Sequence, residues 1–552
     1  LGERAKLIER IGTHALEKLG AADVDGFDGA LGVAFAQLFH CVVEPEADEV
    51  VSFLGIAGVL FVNEFDDLRK IQFRHNMRHV SNTAFQSAQS RPEETVAGEM
   101  GGECAGIVSG AVARSLRILR VINTLRREAG GPVESVLRSS EALRGMGHQV
   151  EVATADAPGA LPPVGADFPL HPLGGFGRAT LGRWLRENRL RFDAVIVQGL
   201  WHAEHTVRCA LRGSGVPYFV FPHGMLDSTF ARLYPLKHIK KQLYWWWREG
   251  RALREAAAVC FTSEEERQRA RGTFCPYSVN ERVVAYGTAK PPSGPEWRDT
   301  MCDAFLEKFP ELRERDFLLF LGRLHHKKGL HELIEGFAKF REAQGEDGPT
   351  VREEEAGTMR QQAQHQINGS APQTLVIAGP CSDPKLLRAL MRHADQLGLA
   401  QLNLRGDESG EALPPKNGDL DSASLVWLPM LGDDLKWGAL LASEAFVLSS
   451  HQENFGIAVA EALACRRPVL ISDKVNIWRE IAEASAGFVA PDTVEGVRDL
   501  LTRWASLDPA MREAMGVAAA ECFEQNFEIS RAAESLVQTI RECLAESESV
   551  SS

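Results

Sequence analysis

The sequence predicts an α/β protein made of two Rossmann-like, doubly wound parallel-sheet domains that face each other across a cleft. Three observations carry this expectation. From residue 116 onward, short apolar runs of strand character alternate with helical stretches, the pattern of a parallel sheet covered by helices. The rhythm stops once, at the Pro-rich joint Lys290-Pro291-Pro292-Ser293-Gly294-Pro295, and then restarts. A chain of 552 residues is long enough for two or more domains, each with its own core.

In the first half, 116–122 reads as a strand, and Gly130-Gly131 precedes a helical stretch at 133–143. Further strands are read at 149–154, 193–197, 217–221 and 258–262. In the second half they fall at 317–321, 374–378, 425–428, 445–448 and 468–471. Two charged, turn-rich insertions, 345–373 and 405–423, read as surface loops. The expected domains are therefore 114–293 and 294–526, followed by a helical segment from 527 and a polar, frayed end over 545–552. Residues 1–113 lack the alternation, although 3–19 and 66–89 have helical character. They read either as a small accessory helical domain or as upstream sequence ahead of a true start near Val112, and the sequence leaves both open.

Composition narrows the function classes. With 44% hydrophobic and 25% charged residues, the chain has the balance of a globular protein. A net charge of −14 argues against a nucleic-acid partner, which calls for a basic footprint. Ten cysteines fall without a Cys-x-x-Cys pair, so neither a zinc site nor a disulfide framework is indicated. The longest apolar run, 50–62, is too short to span a bilayer, and no signal peptide is read at the start. The expected location is the cytoplasm.

The candidate chemistry sits at the ends of strands. Glu453 lies just after the apolar run 445–448, and Glu461 follows eight positions later on a small-residue helix. Ligands of open α/β sheets bind at the carboxyl ends of strands, and the helix rise puts the second carboxylate about 10 Å from the first. Such a pair suits the two hydroxyl-rich ends of a nucleotide-sugar; spacing alone equally fits an acidic first helical turn. Arg323 and Lys328 occupy a basic loop after strand 317–321. Cations there would stabilise charge growing on a departing diphosphate, the alternative being a solvated basic loop. His223 follows strand 217–221 and Asp227 follows it, either as a helix cap or near a second substrate. His325, His326 and His331 lack a convincing metal-ligand set. Asp419-Leu420-Asp421 and Asp23-Val24-Asp25 match an Asp-x-Asp metal motif in letters only.

Four motifs in order then carry a family resemblance. They are Phe221-Pro222-His223-Gly224-Met225-Leu226-Asp227, Phe320-Leu321-Gly322-Arg323-Leu324-His325-His326-Lys327-Lys328-Gly329-Leu330, Glu453 to Glu461, and the stretch from Arg467 to Ile481. The span from about Arg117 to about Cys543 resembles the retaining family-4 (group 1) glycosyltransferases of the GT-B fold, and is similar to members that build bacterial exopolysaccharide or lipopolysaccharide. The resemblance implies a catalytic set of Glu453, His223, Arg323 and Lys328. It implies a donor site of Gly131, Arg323, Lys328, Glu453, Asn454, Phe455, Gly456 and Glu461, with Glu461 on the ribose and Glu453 on the sugar hydroxyls. It also implies a closing helix that crosses back to the first domain, a UDP- or GDP-sugar as substrate, no cofactor and no metal. The acceptor would be a glycan or lipid-linked. The alternatives are a nucleotide-sugar epimerase of the same fold and a non-catalytic sugar-nucleotide-binding protein.

Segment 236–254 has its own pattern. Wound as one α-helix at about 100° per residue, it gathers Lys237, Lys240, Lys241, Arg248 and Arg251 on a narrow face, with Ile239, Leu243, Trp246 and Leu253 opposite. The apolar face is expected to pack on the sheet, leaving the basic face as a dock for the anionic inner leaflet of a membrane.

Overall fold

The computed structural model describes residues 114–126, 131–159, 167–229, 231, 234–292, 294, 296–345, 374–405 and 423–551. The readings made on 1–113, on the bulk of both insertions and on both Asp-x-Asp matches lie outside the described residues.

The first sheet is built from β1 (Arg117–Ile122), β2 (Gln149–Thr154), β3 (Leu170–Pro172), β4 (Ala194–Gln198), β5 (Tyr218–Phe221), β6 (Ala258–Phe261) and β7 (Glu281–Val283). The second is built from β8 (Phe317–Leu321), β9 (Thr374–Ala378), β10 (Gln401–Asn403), β11 (Leu425–Leu428), β12 (Ala445–Leu448), β13 (Val469–Ser472) and β14 (Gly487–Ala490). Spatial orders are β3-β2-β1-β4-β5-β6-β7 and β10-β11-β9-β8-β12-β13-β14, and the paired strands run parallel. Parallel strands buried on both faces need continuous apolar runs; β4, β9 and β11 are buried along their whole length.

Successive strands are laid down to opposite sides of β1 and β4 in the first sheet and of β8 and β12 in the second. Such switch points open a crevice at the carboxyl ends of the two strands. The loops carrying Arg323 to Lys328 and His451 to Gly456 leave β8 and β12 there, so the topology itself brings two distant motifs together.

Two chain crossings join the halves. Thr288 N donates to Phe527 O at 3.0 Å and Ile529 N to Thr288 O at 3.1 Å. A Cβ on Gly287 would lie 2.5 Å from Phe527 O, so only glycine admits this approach. Helix Ile529–Ser551 then returns to the first sheet, packing Ala533, Leu536, Val537 and Ile540 against Ile118, Ile196 and Phe219. It stays helical through Ser551, where the sequence had suggested fraying from 545.

Segment 236–254 departs from the expected single helix. An α-helix over Pro235–Tyr244 passes into a π-helical turn, Trp245–Glu249, before Gly250–Arg254. The wider turn shifts the register, so one 100° wheel does not describe the segment. Trp245 is buried while Leu243 and Trp247 are exposed, together with Tyr234 and Leu236. Lys237, Lys240 and Arg251 remain exposed, but Lys241 lies over the Trp201 ring at 4.7 Å and Arg248 over Tyr244 at 5.2 Å. The outward surface is thus apolar as well as basic.

Candidate functional site

Lys328 and Glu453, 125 residues apart, form an ion pair across the β8–β12 crevice. Each loop is held from below. Gly329 takes φ +63°, and a Cβ there would sit 2.1 Å from Ser449 O; the Ser449 hydroxyl donates to Gly329 O at 2.7 Å. On the other side, Glu453 N donates to Lys474 O at 3.1 Å and Glu453 O accepts from Asn476 N at 3.0 Å. Lys327 Nζ donates to Gln452 Oε1 at 3.1 Å. Burial lowers the Lys327 pKa, the Lys328 charge adds to this, and the Glu453 and Asp227 carboxylates oppose it. Arg323 stands exposed on the same loop.

Gly456, at φ +77°, turns the chain into helix Ile457–Ala464, which carries the second acid inward. Glu461 is only 6% exposed and pairs with Lys436 Nζ at 2.6 Å. Lys436 was missed in the sequence because its partner lies 25 positions away on another helix. Asn454 and Phe455 have structural duties. Asn454 Nδ2 donates to Thr262 Oγ1 at 3.1 Å, reaching the first half, and a Cβ on Gly224 would meet Asn454 Oδ1 at 2.9 Å. Phe455 packs edge-on against Tyr286 and Phe527 at the crossings.

From the first half, His223 precedes Gly224, the residue that abuts Asn454, and takes φ +51°, a left-handed conformation for a non-glycine residue. Its Nε2 lies 2.6 Å from Gln198 Oε1. Burial, and then the nearby Arg120 charge, push its pKa down to about 4, so the ring is neutral near pH 7. Glu266 fixes the turn that follows. Its carboxylate accepts from Gly224 N at 2.6 Å and from the Thr262 amide and hydroxyl, both at 2.7 Å. The sequence does carry a signal for Glu266: Ser263-x-x-Glu266 is a capping-box pattern, and Ser263 Oγ accepts from Glu266 N at 3.1 Å. Asp227 is buried and accepts from Thr229 N at 2.8 Å, the local turn role. Gly131 opens helix Gly131–Gly145.

Ion pairs join the two walls. Glu265 bonds Arg269 at 2.8 Å within its own helix and Arg479 at 2.8 Å across the cleft; Arg269 also donates to Asp473 O at 3.1 Å. Among the described residues, no group of three His, Cys, Asp or Glu side chains is arranged to hold a metal, and no helix is long and apolar enough to cross a membrane.

Comparison with known proteins gives this geometry a context. Residues 130–287 match the family described as Glycosyl transferase 4-like domain, and residues 422–521 match Glycosyl transferases group 1. The D-inositol 3-phosphate glycosyltransferase of Jonesia denitrificans is 23% identical over 244 residues, 44% of this chain and 47% of that protein. The chain spans about half the length of this curated relative. A glycosyltransferase structure from Rickettsia africae aligns with a TM-score of 0.55 at 14% identity, over 78% of this chain and 99% of that one. Anabaena HepE in complex with UDP and glucose gives 0.54 at 14%, over 77% and 100%. Sucrose-phosphate synthase from Thermosynechococcus elongatus gives 0.54 at 17%, over 78% and 100%. At these identities the likeness establishes the fold, GT-B. One family match falls on each half of the described fold.

Proposed function

We propose that the chain transfers a sugar from a nucleotide-diphosphate donor to a glycan or lipid-linked acceptor, with retention at the anomeric carbon. The observation that carries this reading is the pair of acid–base couples in the second half, Lys328 with Glu453 and Lys436 with Glu461. One lies in the β8–β12 crevice and the other lies behind it, on the helix that Gly456 starts. In the proposal Glu461 accepts hydrogen bonds from the ribose and Glu453 from the sugar hydroxyls. Arg323 and Lys328 take the diphosphate, Lys328 leaving Glu453 for a phosphate oxygen. Charge then grows on the leaving phosphate next to fixed cations, which favours the transition state over the ground state. The bound UDP and glucose of the HepE complex support a uridine donor.

On the opposite wall, neutral His223 and the amide end of Gly131 would contact the transferred sugar and the phosphates. Asn454, Phe455 and Gly456 would meet the donor through main chain, since the Phe455 ring is committed to the interior. No metal or cofactor enters the scheme. The acceptor side includes a peripheral contact with the inner leaflet, made by Lys237, Lys240 and Arg251 with the exposed Leu236, Leu243 and Trp247. Incubation with UDP-sugars or GDP-sugars and isolated glycolipid tests the reading. Glu453→Ala is expected to lower transfer about 100-fold, the scale of losing one transition-state contact, and the anomeric proton couplings of the product report retention. Normal turnover in Glu453→Ala, or an inverted product, overturns it. Epimerised free donor in the absence of acceptor supports the epimerase instead.

A further inference from the structure

A cavity between the first sheet and the returning helix Ile529–Ser551 holds a buried charge without a counter-charge. Arg120, in the middle of β1, is 3% exposed. Its Nη1 donates to Val136 O at 3.3 Å, to Ser140 Oγ at 3.3 Å and to Ser139 Oγ. Both serine hydroxyls in turn donate to helix carbonyls, Ser139 to Ser135 O at 2.6 Å and Ser140 to Val136 O at 2.6 Å. Every acceptor is therefore neutral, and among the described residues no carboxylate pairs with this guanidinium. Leaving a buried cation uncompensated costs several kcal/mol. Two buried donors on the cavity wall also lack partners, Arg120 Nε and Gln198 Nε2. The cavity is lined by Arg120, Gln198, Ser135, Ser139, Tyr286 and Ile529 among others, and about 20 Å³ of it is open to the centre of a water-sized ligand. One such ligand needs about 10–15 Å³.

We propose that this cavity binds one small monovalent anion of halide size, held by Arg120 and Gln198. The unpaired groups are donors, which calls for an acceptor. The buried charge is positive, which calls for an anion over water. The narrow space beside these donors suits an ion about the size of a water molecule. The site also bears on His223: the neutral ring donates from Nε2 to Gln198 Oε1, which leaves Gln198 Nε2 pointing to the ligand. The anion and His223 thus hold opposite ends of one amide.

The full chain, melted in sodium chloride and in sodium gluconate at equal ionic strength, tests this. A saturable rise in melting temperature with chloride, on the order of 2 °C, is expected in the wild type and absent in Arg120→Met. Crystals soaked in sodium bromide are expected to show one anomalous peak within hydrogen-bonding distance of Arg120 and Gln198. If Arg120→Met does not fold, Gln198→Leu replaces it, with a weakened chloride response expected. Equal melting in both salts with only water in the cavity of bromide-soaked crystals overturns the proposal, as does an unchanged chloride response in a folded variant.

Discussion

Substituting Gly329 by alanine tests how the Lys328 loop is held. The residue sits at φ +63° between the short turn His326–Lys328 and helix Leu330–Gln344. A left-handed conformation costs alanine about 1–2 kcal/mol. The new Cβ would also lie 2.1 Å from Ser449 O and 2.9 Å from Ser449 C, so backbone must move by about 1 Å, at a cost of roughly 1–3 kcal/mol. Gly398 provides the control, with φ +76° and nothing within 4 Å of its Cβ. Gly398→Ala should show only the conformational cost, so the two variants should differ by roughly 1–3 kcal/mol in parallel denaturant titrations. Because Lys328 is the preceding residue, a 1 Å displacement should also lower sugar transfer about 100-fold, with Gly398→Ala unaffected. Equal destabilisation of the two variants, with normal turnover in Gly329→Ala, would refute the packing argument.

Three further outcomes follow from the geometry. Lys436→Met removes the ion-pair partner of the buried Glu461 carboxylate, and thermal melts should show a loss of about 1–3 kcal/mol, whereas the charge-neutral double variant Lys436→Met/Glu461→Gln should recover much of it. His223 has a folded-state pKa of about 4, below its ordinary 6.5, so the unfolded chain binds more protons between those values and stability falls as pH drops through that window. The contribution is on the order of 3 kcal/mol, and His223→Gln should flatten the decline between pH 6.5 and 4. Glu249 shifts the opposite way: burial pushes its carboxyl up to about 7, against the Arg248 charge and the hydrogen bond with Glu204. Its stabilising contribution is full below pH 4.5 and is lost as pH rises through 7, so Glu249→Gln should be more stable than wild type at pH 8; equal stability there would contradict the burial of this carboxylate.

Central strands and peripheral ones were not equally legible. β8, β9, β11 and β12 are near-continuous apolar runs because both faces are covered, and their extents could be read directly. The strands missed, β3, β7, β10 and β14, lie towards or at the sheet edges. Leu170-His171-Pro172, Glu281-Arg282-Val283 and Gln401-Leu402-Asn403 are three residues long and mostly half-exposed. Such segments are strands because a neighbour templates them, which no local pattern records. The wheel over 236–254 failed for a related reason: the π-turn at Trp245–Glu249 is a tertiary accommodation that lets Trp245 donate to Pro276 O at 2.9 Å and stack on Phe274. At the candidate site, motif spacing named Lys328, Glu453 and Glu461, since each lies just beyond a readable strand. Their cross-chain partners were not visible. Lys436 looks like any surface lysine beside Asp433 and Asp434. Arg120 sits in the buried stretch Ile118–Ile122 of β1 between Leu119 and Val121, a local inconsistency of the kind that marks a functional or strained position.

The central claim is that the second half holds a nucleotide diphosphate with Glu461 on its ribose. Calorimetric titration of UDP and of GDP into wild type and into Glu461→Gln, with folding of the variant checked by melting, tests it most directly. Wild type should bind one of the two nucleotides, and Glu461→Gln should bind it at least about 10-fold more weakly, a difference of roughly 1.4 kcal/mol. Equal affinity in the two proteins, or no binding of either nucleotide to wild type at millimolar concentration, would contradict it.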